Sequence, residues 1–274
     1  MNKKLSIVTI NYNNKGGLKK TFESVVHQTW QDFEFIVIDG NSLDGSKDLL
    51  GQYSSRLDYA VSEPDSGIYN AMNKGIRVAT GDYIMFLNSG DSLIDNTVLE
   101  KIHLELNGQY DIYYGDILHN EGNKQEIRTF PKKLNFAFFY EQNISHQASF
   151  IKAKLFKDIF LYNEGFKIVS DWEFFVYAIC KRDASYKHID CVIVSYDGVG
   201  ISSDVKNQLA ITKERDISLN KYFPEFVKDY DYLKEIKFKK AEQFMYIKKH
   251  PIAYKILKGF MNIILLFLPK FNRN

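Results

Sequence analysis

The first ninety residues alternate two kinds of hydrophobic pattern, and that alternation leaves few folds open. LSIVTIN at 5–11, FEFIVID at 33–39, LDYAVSE at 57–63 and YIMFLN at 83–88 are short, nearly continuous apolar runs with many β-branched residues, as buried strands are. Between them the apolar residues recur at helical spacing. Leu18, Phe22, Val25 and Val26 do so after the first run, SLDGSKDLLGQY opens a second helix with Ser42 or Asp44 as its cap, and GIYNAMNKGIRVA makes a third. Strands alternating with helices fold as a parallel sheet covered on both faces, an α/β architecture.

In such sheets ligands bind beyond the carboxyl ends of the strands. Here those ends read Asn11-Tyr12-Asn13, Asp39-Gly40-Asn41, Glu63-Pro64-Asp65 and Asn88-Ser89-Gly90-Asp91. One polar ending is ordinary turn chemistry, since Asn, Asp and Gly are favoured in turns. Four of them on one edge of one sheet describe a cleft.

The second half reads differently. YDIYYGDILHN and KQEIRTF flank the turn EGN as an antiparallel hairpin, SHQASFIKAKLF is a strand then a helix, and SDWEFFVYAICKR is a helix with its cap. YKHIDCVIVSYDGVGIS is a strand entering a glycine-bearing loop, 196–202, with glycines able to close over a ligand as a lid or to make a plain turn. Neither a repeat nor a linker interrupts the chain, so the expected organisation is one domain over 1–225 and a helical tail over 226–274.

Charge sets the tail apart. The net charge is +2, yet from Lys228 to Asn274 eleven cations face four carboxylates, a surplus of seven, which leaves −5 on the rest. The tail ends in YKILKGFMNIILLFLPKF, basic flanks around an apolar stretch. Such a segment suits an anionic membrane interface or a dock on the protein's own core. No apolar run reaches the length of a spanning helix. The opening LSIVTIN is too short and too β-branched for a signal peptide, and Cys180 and Cys191 form neither a disulfide framework nor a ligand spacing. The expected setting is the cytoplasm, with the tail peripheral on the inner face of the cell membrane.

Several chemistries are excluded. NYNNKGG is not a dinucleotide fingerprint, and neither a GxxxxGK[ST] phosphate loop nor a GxSxG elbow occurs. His, Cys and carboxylates lack zinc-site spacing, and the acidic body argues against a nucleic-acid partner. A cleft with carboxylates and an aromatic remains, suited to a polar ligand carrying a flat base and phosphates.

SIVTINYNN, FEFIVIDGNSLDGS, SEPDSGIYNAMNKGIRVATGDYIMFLNSGD and SHQASF with SDWEFF resemble, in that order, glycosyltransferase family 2 of the GT-A fold. The nearest likeness is to bacterial enzymes that build O-antigen, capsule and other exopolysaccharides, over roughly residues 5–200. The resemblance implies a Rossmann-like, mostly parallel sheet with helices on both faces. It also implies that the end of the first strand, Thr9 to Tyr12, and Asp39 hold the nucleotide base, with Asp65 beside the nucleotide. A carboxylate can accept the uracil N3–H while an aromatic offers a stacking face. Asp39 would otherwise be a turn residue. Lys74 would reach a phosphate or, as a Lys on an amphipathic helix, stay solvated.

In family members the fourth strand ends in an Asp-x-Asp type motif that binds the sugar nucleotide and a divalent cation. Here Asn88-Ser89-Gly90-Asp91 has an amide at the first acidic position and leaves Asp91 as the one carboxylate. Mg²⁺ or Mn²⁺ is the cofactor the resemblance implies, on Asp91, with the cation keeping waters and sharing substrate phosphates. The other reading of Asp91 is a cap for a helix starting near Asn96. Asp171 matches the family's catalytic base, with Glu173 as alternate, although Ser170 and Asp171 also sit where a helix N-cap belongs. His146 stands near the acceptor side, on diphosphate or acceptor, or as a satisfied structural histidine.

The function expected is an inverting transfer of a sugar from a nucleotide diphosphate donor, UDP-linked, to a hydroxyl of a glycan or lipid-linked acceptor in surface polysaccharide synthesis. The rivals are a nucleotidyltransferase or sugar-nucleotide hydrolase on a related sheet, and a degenerate member that binds nucleotide sugar or a membrane partner without turnover. Specificity would reside around 130–146 and 196–206.

Overall fold

β1 (Leu5–Asn11) is buried at every position, and the sheet grows outward from it. The computed structural model describes residues 4–122, 124–198, 200, 205–236 and 239–268. They belong to two compact units, residues 1–218 and 219–274.

After β1 come α1 (Lys15–Val26), β2 (Glu34–Asp39), α2 (Ser46–Gln52), β3 (Tyr59–Ser62), α3 (Ile68–Val78) and β4 (Tyr83–Phe86). The expected alternation is therefore present, and β3-β2-β1-β4 pair in parallel in that order. Then follow β5 (Ser92–Leu93), α4 (Val98–Glu105), β6 (Ile112–Glu121), β7 (Lys124–Arg128), α5 (Phe136–Glu141), β8 (Ser149–Lys152), α6 (Ala153–Asp158), α7 (Ser170–Cys180) and β9 (Tyr186–Asp197). Among the described residues nine strands make one sheet, continuing from β4 through β8, β6 and β9 to β5, with β7 on β6. In this half only β6 and β9 run parallel; the other pairings are antiparallel. The hairpin read at β6 and β7 is there, although Asn123 in its turn lies outside the described residues.

Strand periodicity explains the two cores. Ile7 lies opposite Phe35 and Met85, and this row packs on Leu18, Phe22 and Val25 of α1, with Leu49 of α2 and Ile102 of α4 in the same cluster. Val8 lies opposite Ile36 and Phe86, the row for the other face. There a β-carbon at Gly75 of α3 would collide with Val8, and Phe86 meets Phe156, which stacks on Phe174 at 4.5 Å. Helices cover both faces, as an α/β fold of this class requires.

Helix starts differ from the simplest reading. α2 begins at Ser46 with Asp44 Oδ1 accepting from Ser46 N, while Ser42 serves Asp39 instead. α4 starts at Val98 because Ser92 and Leu93 first pair with β9.

The chain continues with α8 (Gln208–Tyr222), α9 (Pro224–Ile236), α10 (Lys239–Lys248) and α11 (Pro251–Leu265). α11 has no buried residue, and Ile256, Phe260, Ile263 and Ile264 are exposed along it. Among the described residues no helix is long and apolar enough to cross a membrane. The end of the tail, 269–274, lies outside the described residues.

Candidate active site

The ends of β1 and β2 are locked to each other. Asn13 and Asn41 take left-handed backbone, at φ 48 and 64, which Asn tolerates better than most residues. The turns they make bring Ser42 against Asp39. Asp39 Oδ1 accepts from Asn11 Nδ2 at 2.7 Å and Ser42 Oγ at 2.6 Å; Oδ2 accepts from Ser42 N at 3.0 Å and from Ser62 Oγ. A carboxylate offers about four acceptor sites, and all four are filled. Burial pushes this carboxyl up, yet the Ser42, Ser62 and Asn11 hydrogen bonds hold it below its ordinary value.

Around Gly40 the cleft surface takes shape. A β-carbon there would lie 2.5 Å from Asp65 Oδ2 and 3.0 Å from Tyr12 Cδ2, so those two side chains converge where only glycine leaves room. Tyr12 is 67% exposed, a free aromatic face beside a carboxylate. Thr9 is not at this surface: it is fully buried and its hydroxyl donates to Leu87 O. Lys74 is held by Glu63 at 2.7 Å and by Pro64 O at 2.9 Å.

Beyond Phe86 the backbone stays hydrogen-bonded to β1, through Leu87 N on Val8 O and Ser89 N on Ile10 O. This carries Asn88 and Ser89 to the same edge as Asn11. Gly90 has φ 108, strained for any residue with a β-carbon, and its carbonyl accepts from Lys20 Nζ. Asp91 is buried, and Asp197 N donates to its Oδ1 at 2.9 Å. Burial pushes its carboxyl up to about 6, against the pull of the Asp197 amide, His146 and Gln147. The Asn88 Oδ1 is buried without a partner. Among the described residues no cluster of three His, Cys, Asp or Glu could hold a metal by itself.

Asp171 opens α7, but its carboxylate points away from the cap role. Glu214 takes the amides ahead of the helix, accepting from Lys167 N, Ile168 N and Val169 N. Asp171 instead accepts from Tyr69 OH at 3.0 Å on Oδ1, and from His146 Nδ1 at 2.9 Å and Asn143 Nδ2 at 3.3 Å on Oδ2. Burial pushes the carboxyl up, yet His146, the Trp172 amide and Tyr69 hold it below the ordinary carboxylate value. It is thus an ionised carboxylate that still borders a cavity of about 520 Å³, together with His146. Glu173 faces elsewhere, buried and accepting from Ser218 Oγ. Tyr69, Asn143 and Ser62 escaped the sequence reading, which had Ser42 only as a helix cap, as did Arg215, whose guanidinium carbon lies 4.8 Å from the centre of the Trp172 ring. Of the lid stretch 196–202, Tyr196 borders the cavity, while 199, 201 and 202 lie outside the described residues.

A parallel β3-β2-β1-β4 core, with a polar cleft at its carboxyl edge and an ionised carboxylate nearby, places the fold among GT-A glycosyltransferases. TarS of S. aureus aligns at a TM-score of 0.60 and 19% identity, covering 71% of this chain and 36% of that one. Its 1–349 segment in complex with UDP-GlcNAc aligns at 0.59, covering 71% and 58%. A mannosyltransferase from Pyrobaculum calidifontis with GDP-Man and Mn²⁺ aligns at 0.58 and 13% identity, covering 83% and 65%. The chain belongs to glycosyltransferase family 2, whose model, Glycosyl transferase family 2, matches residues 6–160. Relatives from Mycobacterium tuberculosis include an uncharacterized glycosyltransferase at 33% identity over 73% of this chain and 77% of its own length. A PGL/p-HBAD biosynthesis glycosyltransferase from the same species is 28% identical over 71% and 77%.

Proposed function

We propose that this protein transfers a sugar from a nucleotide diphosphate, with UDP as the carrier, to a hydroxyl of a glycan or lipid-linked acceptor in surface polysaccharide synthesis. The anomeric configuration inverts. The observation that carries the reading is Asp171: buried, held ionised by three side-chain donors, and still on a cavity wall. Tyr69 and the Trp172 amide help to hold this carboxylate, which still borders the cavity from which a substrate hydroxyl approaches. As the acceptor oxygen bonds to the anomeric carbon, Asp171 takes its proton. The sugar–phosphate bond breaks on the opposite face, and the diphosphate departs with the electron pair.

The nucleotide lies on Tyr12 and Asp65, with Asp39 shaping the turn beneath them rather than offering a free lone pair. A divalent cation fits the hard oxygens of Asp91 and the unpartnered Asn88 Oδ1, its other ligands coming from water and the donor phosphates. Such a cation, when bound, neutralises charge on the leaving diphosphate. The tail attaches to the cytoplasmic membrane surface through α11, where Lys255 and Lys258 neighbour exposed Ile256 and Phe260.

A binding role without turnover is the rival, favoured by Asp91 being the one carboxylate of Asn88-Ser89-Gly90-Asp91. Calorimetric titration with UDP, with and without Mn²⁺, and a UDP-release assay on Asp171→Asn separate the two. Transfer predicts UDP binding in both proteins and release only by the unaltered one. Equal release, or none from either, leaves the binding module.

A further inference from the structure

The cavity beside Asp171 holds a cation that the donor site does not use. Its wall includes His146, Asp171, Trp172, Arg128 and Arg215, but none of Tyr12, Asp39, Asp65, Asn88 or Asp91. It therefore lies on the acceptor side of the base. Arg215 reaches in from α8, its guanidinium carbon 4.8 Å from the centre of the Trp172 ring, and Trp172 is pinned by Nε1 donating to Phe139 O at 2.7 Å. The Arg215 Nε is buried and has no hydrogen-bond partner.

A guanidinium has five donors, and burying one without acceptors is costly. Burial pulls the Arg215 pKa down, and only the charge of Asp171 opposes it. Asp171 makes no hydrogen bond with Arg215; its side-chain donors are Tyr69, His146 and Asn143. Trp172 holds the cation by its face, on the wall of the cavity. Arg128, exposed on β7, borders the same cavity and has no ion pair among the described residues. One bidentate fork uses up both oxygens of a carboxylate, whereas a phosphate has oxygens for two forks.

We propose that this cavity binds a phosphate carried by the acceptor close to the hydroxyl that is glycosylated, on Arg215 with Arg128. The site rests on the glycosyl-transfer reading above. It makes the acceptor an anion and gives the enzyme a means to refuse neutral glycans.

The chain has two tryptophans, so Trp30→Phe leaves Trp172 as the reporter beneath Arg215. Inorganic phosphate is titrated into this full-length protein at saturating UDP and constant ionic strength, reading Trp172 emission. The expected result is a saturable change that Arg215→Gln weakens about tenfold and Arg128→Gln about threefold, with UDP affinity unaltered in both. Arg215→Lys keeps the charge without the fork and falls between. Arg128, being exposed, tests the site even if Arg215→Gln folds poorly. Competition between phosphate and UDP, or weakened UDP binding in Arg215→Gln, would assign the arginine to the donor diphosphate and overturn the proposal. A flat phosphate titration overturns it as well. If UDP itself fails to bind, the transfer reading falls, and phosphate titrated alone still decides the anion site. Glycerol 3-phosphate and vesicles containing phosphatidic acid, each compared with Arg215→Gln, tell a soluble phosphate from a lipid-borne one.

Discussion

His146 donates from Nδ1 to Asp171 at 2.9 Å and accepts at Nε2 from Asn88 Nδ2 at 3.3 Å. One imidazole thus ties the end of β4 to the carboxylate that opens α7. His146 is also the main influence holding the Asp171 carboxyl low against burial. His146→Ala removes that support, so the acid limb of the pH–activity profile should move to higher pH. An unmoved limb would mean that Asp171 does not set it.

Asp171→Asn keeps the size of the side chain and removes the proton acceptor. Turnover should fall by about 10²–10⁴-fold while the KM for the donor stays within about twofold. The measurement is steady-state UDP release with the acceptor saturating. A rise in donor KM without a fall in kcat would place Asp171 in donor binding instead.

Asp39 is held by four donors at the ends of β1, β2 and β3. Asp39→Ala leaves Asn11, Ser42 and Ser62 without their acceptor, at a cost of about 2–4 kcal/mol in urea unfolding at pH 7. Because its carboxyl lies below the ordinary value in the folded protein, its contribution is present above the unfolded pKa and is lost as pH falls through the folded one. The gap between unaltered protein and Asp39→Asn should therefore close in acid. A constant gap down to pH 3 would contradict this account.

The exposed apolar residues of α11 lie among lysines, so the proposed binding to anionic vesicles should depend on salt. Co-sedimentation with phosphatidylserine vesicles should occur at low salt, weaken severalfold at about 0.5 M salt, and vanish in Ile256→Ser/Phe260→Ser. Binding that ignores both changes would remove the tail from membrane contact.

What could be read in the chain was what local chemistry dictates. Ile7, Val37 and Met85 sit in β-branched or apolar runs, so their strands were visible, and the polar ends of those runs marked the cleft edge. Asp171 stood out only because SDWEFF resembles a motif of the family; locally it looked like a helix cap. The partners that decide each role are far away in sequence: Ser62 is 23 residues from Asp39, and Tyr69 is 102 from Asp171. Nothing in the local pattern tells Thr9 to turn inward to Leu87, or Lys74 to settle on Glu63. Arg215 was silent because an arginine among charged helical residues looks solvated until Trp172 is placed beneath it.

Asp91 supplies the sharpest stability argument. Burial lifts its carboxyl to about 6 from an unfolded value of 3.8, so the folded protein holds a proton that the unfolded chain has released. Stability therefore falls as pH rises between those values and levels off above the higher one. Two units correspond to about 3 kcal/mol, as an order of magnitude. Asp91→Asn removes the charge while its amide oxygen can still accept from Asp197 N. The variant should unfold about 1–3 kcal/mol later than the unaltered protein at pH 7.5 and show no advantage near pH 4. A cation at Asp91 would offset the same cost, so Mn²⁺ should raise the Tm of the unaltered protein at pH 7.5 and leave Asp91→Asn unchanged. A less stable Asp91→Asn at pH 7.5 would show that the carboxylate is a structural support and not a site kept charged for a ligand.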